Sequence, residues 1–137
     1  MKINELSPAY KKLVKAAQKA KGLSYSPYSK FRVGAALLTK SGKVILGSNI
    51  ENSSYGLSIC AERTALFKAK LDKITSLKAI AITTDVDALV SPCGACRQVI
   101  MELAGDVDVI MSNDRGEVAI MKASALLPSA FTPEMLI

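Results

Sequence analysis

A chain of 137 residues, half of them apolar and 22% charged, has the length of a single domain, and nothing within 1–137 is Pro/Gly/Ser-rich or charge-blocked enough to act as a linker. Its formal charge of +6 is spread over scattered lysines rather than gathered in a patch, which argues against a nucleic-acid groove, and no run approaches the ~18 apolar residues a membrane span needs. A mean hydropathy of +0.25 is high for so small a body and predicts that partner subunits cover part of its surface.

The opening MKINELSPAYKK lacks the apolar core of a secretory leader. With an odd number of cysteines, three, it predicts a reducing, cytoplasmic setting rather than a disulfide framework. Residues 8–20 carry Ala9, Leu13, Ala16, Ala17 and Ala20 at the spacing of an amphipathic helix, with Gly22 as its stop. Residues 31–39 and 44–48 flank Ser41-Gly42-Lys43 and read as a hairpin. After an irregular stretch at 49–59, strong helix formers at 61–70 put Ala65, Leu66 and Ala69 on one face, so Cys60 falls at a helix start.

Residues 77–84 form a short apolar run suited to a central buried strand, 93–103 read as a helix closed by Gly105, and 107–111 as the next strand. Such a βαβ unit should have parallel strands and a right-handed crossover. A polar turn at 113–116 leads into a strand at 118–121 and a brief helix at 123–127, ended by Pro128. The sum is an α/β domain with a mixed five-stranded sheet covered by helices.

The chemistry-bearing residues stand at the two central helix starts. Cys60 precedes Glu62 by two residues, and Cys93 and Cys96 form a CxxC pair 33 residues after Cys60. A CxxC at the first turn of a helix points both sulfurs towards one centre, and a third cysteine at a neighbouring helix start supplies a third corner of a tetrahedron. Helix N-termini also favour the thiolate, the form that binds metal. Three protein ligands leave one position open, the pattern of a catalytic zinc.

Two other readings stay open at this point. A redox CxxC leaves Cys60-Ala61-Glu62 unexplained, and a closed structural zinc in an interaction module needs a fourth ligand. With no histidine and no fourth cysteine, only a carboxylate is on offer. Proton transfer likewise falls to a carboxylate, and Glu62 is the one tied by position to a metal ligand, although a glutamate in a first turn is also an ordinary helix cap. Three thiolates and Zn²⁺ sum to −1, so a cation is expected nearby; Arg63 and Arg97 are the candidates to hydrogen-bond a sulfur.

Four motifs together carry a resemblance: YSPYSKFRVGAALL at 25–38, NIENSSY at 49–55, CAERTA at 60–65 and PCGACRQ at 92–98. In these, and over most of the chain from Tyr25 to Phe131, the sequence closely resembles the short, homotetrameric bacterial cytidine deaminases. The resemblance implies a three-layer α/β/α fold and one Zn²⁺ per chain on Cys60, Cys93 and Cys96. It further implies that Glu62 shuttles protons from the attacking water to a cytosine ring and its departing amine, giving a uridine-type product.

By the same resemblance Asn49 and Glu51 would hydrogen-bond the ribose, Phe31 would pack on the nucleoside, and the Ala61 N–H would bind the base carbonyl. Tyr55 and Phe131 would complete the site across subunit boundaries, Arg63 would offset thiolate charge, and Gln98 would do related supporting work. As residues alone, Asn49 and Glu51 also suit a turn, and Phe31 and Phe131 a core. The implied substrates are cytidine and deoxycytidine, since a buried Glu51 would read sugar hydroxyls and leave little room for a phosphate. A modified cytosine nucleoside is the alternative. Ser53-Ser54, where alanines are frequent, and Ser129, where LLPGAF is frequent, depart from the family pattern and bear on substrate preference.

Overall fold

The computed structural model describes residues 1–136. Along the chain come α1 (Pro8–Lys21), β1 (Val33–Thr39), β2 (Val44–Ser48), α2 (Ala61–Leu71), β3 (Leu77–Thr84), α3 (Gly94–Leu103), β4 (Asp108–Ser112), β5 (Val118–Lys122) and α4 (Ala123–Leu126). The strands form one mixed sheet in the order β2-β1-β3-β4-β5. β1 is antiparallel to β2 and β3, and β5 to β4, while β3 and β4 are parallel and joined through α3, the βαβ unit expected there.

β3 is central because its side chains suit both faces of a sheet. Ile80 and Ile82 point into a core shared with α2 and α3, where Leu66, Ala69 and Ile100 meet them. Ala79 and Ala81 point the other way, into a core shared with Leu13, Val14 and Ala17 of α1. This is the expected α/β/α layering. It leaves the first turns of α2 and α3 on the same side of the sheet, and those two helices pack on each other.

Two glycines set how closely the helices lie. A Cβ on Gly34 of β1 would stand 2.0 Å from the Ala17 carbonyl oxygen and 2.4 Å from the Lys21 nitrogen. One on Gly47 of β2 would stand 2.4 Å from the Ala61 oxygen and 2.6 Å from the Ala65 nitrogen. Only hydrogen at position 47 lets the N-terminal turn of α2 settle on β2. Gly47→Ala must therefore push backbone rather than a flexible side-chain tip, and overpacking of this kind costs about 1–3 kcal/mol. A thermal unfolding midpoint clearly below that of the parent is expected; an unchanged midpoint would show that α2 does not need this close approach.

The boundaries differ from expectation at one place that matters. β1 begins at Val33, so Phe31 and Arg32 lie outside the sheet. The Asn49 side chain intercepts the ladder there, accepting from Val33 N at 2.9 Å and donating to Phe31 O at 2.8 Å. Among the described residues no helix is long and apolar enough to cross a membrane.

Candidate functional site

Cys60 is the N-cap of α2 and Cys93 the N-cap of α3. Neither makes a side-chain capping bond, so both sulfurs are free for other work. Cys96, one turn into α3, is fully buried. The three sulfurs lie within 4.8 Å of one another, with those of Cys93 and Cys96 3.4 Å apart. Tetrahedral zinc with 2.3 Å bonds needs sulfurs roughly 3.8 Å apart, so small side-chain adjustments bring all three onto one ion. No carboxylate belongs to the cluster among the described residues, which leaves a fourth corner without a protein ligand.

The electrostatics suit a cation. A hydrogen bond with Cys96, and then the Arg63 guanidinium, bring the Cys60 thiol down to about 5 against the opposing effect of its burial. Sharing a proton with Cys60, and burial, push Cys96 well up. Arg63 donates from a terminal nitrogen to Cys60 Sγ at 3.3 Å, the contact expected of a charge-offsetting cation. Its Nε is buried with no partner among the described residues.

Arg97 behaves differently. It donates to Pro92 O at 2.7 Å, Leu126 O at 2.6 Å and Ser91 Oγ at 2.9 Å, and so braces the segment before Cys93 instead of meeting a sulfur. Gln98 also turns away from the cluster: it donates to Phe131 O at 2.9 Å and accepts from Phe131 N at 3.0 Å.

Glu62 is 5% exposed. Burial raises its carboxyl above the usual range, with the nearby Cys60 charge adding to it, while its own backbone N–H and Cys96 oppose the rise. A carboxyl held ready to carry a proton in a dry site is the requirement for proton transfer near neutral pH.

Glu62, Cys60 and Cys93 line a cavity of about 250 Å³, together with Phe31, Asn49 and Glu51. Val33 and Ile82 from the sheet give it an apolar side, with Thr84 beside them. The Ala61 N–H, at the first position of α2, has no carbonyl to reach within the helix. Of Asn49's amide, the oxygen is taken by Val33 N and Ser24 Oγ and one N–H by Phe31 O, which leaves one N–H for a ligand. Glu51 accepts from Tyr28 N and Ser29 N on one oxygen and from the Ser29 hydroxyl on the other. That hydroxyl in particular holds its carboxyl below the usual range. Glu51 is half-exposed in the chain, not buried as expected, because its loop lies at the open rim.

Tyr55 and Phe131 do not line this cavity. Tyr55 is 76% exposed and meets Tyr28 edge-on at 6.1 Å between centroids; Phe131 is 55% exposed at the end of the Gln98 clasp. Ser58, Val90 and Ser91 line the cavity without having been singled out from sequence. The signal for Thr84, at the C-terminal end of β3, was its position, since open α/β sheets bind ligands beyond the carboxyl ends of their parallel strands.

Comparison with known proteins agrees with this geometry. The family model for the cytidine and deoxycytidylate deaminase zinc-binding region matches residues 7–112. A cytidine deaminase of Halalkalibacterium halodurans is 53% identical over 123 residues, covering 89% of this chain and 93% of that one. One of Sporosarcina psychrophila is 49% identical over 126 residues, covering 91% and 93%. Among solved structures, cytidine deaminase from Burkholderia pseudomallei superposes with a TM-score of 0.86 at 45% identity, covering 92% of this chain and all of that one. With three soft sulfur donors suited to zinc and a match of this extent, the chain belongs to the zinc-binding cytidine and deoxycytidylate deaminase family.

Proposed function

We propose that this chain, as a single domain spanning 1–137, hydrolyses cytidine and deoxycytidine to uridine and deoxyuridine with release of ammonia. The observation that carries the reading is the buried Glu62 carboxyl lining one cavity with Cys60 and Cys93, whose sulfurs converge with that of the buried Cys96. Cys60, Cys93 and Cys96 would hold one zinc ion per chain, which would supply Lewis-acid activation of the attacking water.

The chain's own groups do the rest. Glu62 takes a proton from the water and passes it to N3 of the ring as C4 is attacked, then takes the proton of the new C4 hydroxyl and delivers it to the amine as the C4–N bond breaks and the C4 carbonyl forms. The free Ala61 N–H donates to the base carbonyl, and Phe31 packs on the ring. The unspent Asn49 N–H and the acceptor-only Glu51 carboxylate hold the ribose hydroxyls. Arg63, on Cys60 Sγ, offsets the thiolate charge that would otherwise blunt the metal.

Self-association as a homotetramer is part of the same reading. Leu57, Leu71, Met135 and Leu136, with Tyr55 and Phe131, leave large apolar side chains more than half exposed, a surface that suits burial between copies. Tyr55 and Phe131 would then complete a neighbour's site. The free thiols suit the reducing cytoplasm, and the reaction suits pyrimidine salvage from free nucleosides. The test follows cytidine conversion by absorbance with zinc content measured per chain. Turnover of cytidine is expected; a protein inactive on cytidine yet active on CMP or an oligonucleotide would overturn the substrate assignment.

A further inference from the structure

Lys21 is a buried charge that the chemistry above does not use. It is 8% exposed, and a lysine rarely reaches that burial unless paired. Its Nζ lies 3.0 Å from Asp85 and 2.8 Å from Asp114, and reaches the Thr84 carbonyl oxygen at 3.5 Å. Asp85 is shared: Arg32 closes on both of its oxygens, Nε at 2.8 Å and a terminal nitrogen at 2.9 Å. Four segments thus meet in one cluster: the last turn of α1, the lead-in to β1, the end of β3 and the turn after β4.

Two members adjoin the cavity. Arg32 follows Phe31 and Asp85 follows Thr84, and both Phe31 and Thr84 line the cavity. On its upstream side the Phe31 segment is held by Ser29, whose hydroxyl accepts from Phe31 N at 3.0 Å and donates to Glu51. It lies outside the sheet, and the preceding Lys30 is in the left-handed region at φ 59°, a conformation that a non-glycine residue keeps only when its surroundings impose it. The Asn49 amide anchors Phe31 at its carbonyl; the bidentate Arg32–Asp85 pair is the next anchor along the chain, and Lys21 holds Asp85 in place for it. α1 packs on the face of the sheet opposite the helices that carry Cys60, Glu62 and Cys93.

We propose that Asp85, clasped between Lys21 and Arg32, is a positioning residue that holds Phe31 and Thr84 against the bound nucleoside, so that the cluster governs substrate binding and not the chemical step. This inference rests on the proposed deamination of cytidine. The clasp is joined to the binding wall through Phe31 and Thr84, and its Lys21 member belongs to α1, across the sheet from the helices that carry the sulfurs and the proton carrier.

The test uses Arg32→Ala, because the Arg32 side chain is 46% exposed and its loss leaves Lys21 paired. The wild type and variant are compared in kcat and KM for cytidine, in uridine affinity by calorimetry, in zinc per chain and in unfolding midpoint. Base stacking on an aromatic ring is sensitive to its placement, so KM and the uridine dissociation constant should both rise roughly tenfold. kcat should stay within about twofold, with zinc at one per chain. Arg32→Lys, which keeps one donor but not the fork, should fall between the two. Asp85→Asn should raise KM as Arg32→Ala does and also lower the midpoint, since Lys21 loses a partner.

A lower midpoint with unchanged KM and uridine affinity would reduce the cluster to scaffolding and overturn the proposal. So would loss of kcat or zinc in step with KM. A wild type that neither turns over cytidine nor binds uridine would instead sink the substrate reading, and this inference with it.

Discussion

Glu62→Gln should leave zinc bound at one per chain while kcat for cytidine falls by at least ~10²-fold. The amide matches the carboxylate in shape and fills the same 5%-exposed position, so packing is kept; what disappears is an oxygen able to accept and return a proton. Stability should move the other way. Burial raises the Glu62 carboxyl, so the unfolded chain releases that proton at lower pH than the folded one. Stability contributed at this position therefore falls as pH rises from the ordinary carboxylate range towards the raised folded value. A neutral side chain removes that dependence, and the variant should unfold no lower than the parent at neutral pH, the usual trade-off at a catalytic position. Activity within about tenfold of the parent would exclude Glu62 as the proton carrier.

What could be read from sequence follows from how far each signal reaches along the chain. The 77–84 run is found as β3 with both ends in place, because a strand buried on both faces writes its whole length as apolar residues. Cysteines 33 residues apart converge because both helix starts are marked locally and the strand between them returns the chain to the same sheet end. In the sequence Lys21 is one of many scattered lysines, and its one local clue is that it falls seven residues after Val14 and four after Ala17, on the buried stripe of α1. Its partners, Asp85 and Asp114, are 64 and 93 positions away, beyond any local pattern.

Side-chain direction was equally out of reach. Arg63 and Arg97 hold similar places after a helix-capping cysteine, but only Arg63 meets sulfur, because Pro92 O and Leu126 O claim Arg97. Ser129 has a backbone explanation: its φ is 56°, so the glycine frequent at that position in LLPGAF answers a conformational demand. Serine there costs local strain.

The second large effect concerns the metal, and comparing two cysteines isolates it. Cys96→Ala and Cys93→Ala should each reduce zinc to near zero per chain and abolish turnover, since two sulfurs make a poor site for an ion that needs three protein ligands. Both should also lower the unfolding midpoint. A ligand present at a thousandfold its dissociation constant contributes about 4 kcal/mol, which for a chain of this size is on the order of 10 °C. Packing would distinguish the two positions, because Cys96 is fully buried and Cys93 exposed. Metal would not, because either loss opens the same cluster. Equal losses that vanish when each variant is compared with chelator-stripped parent therefore identify zinc as the cause. A large loss at Cys96 alone, persisting against the stripped parent, would mean that the sulfur matters as core and not as ligand.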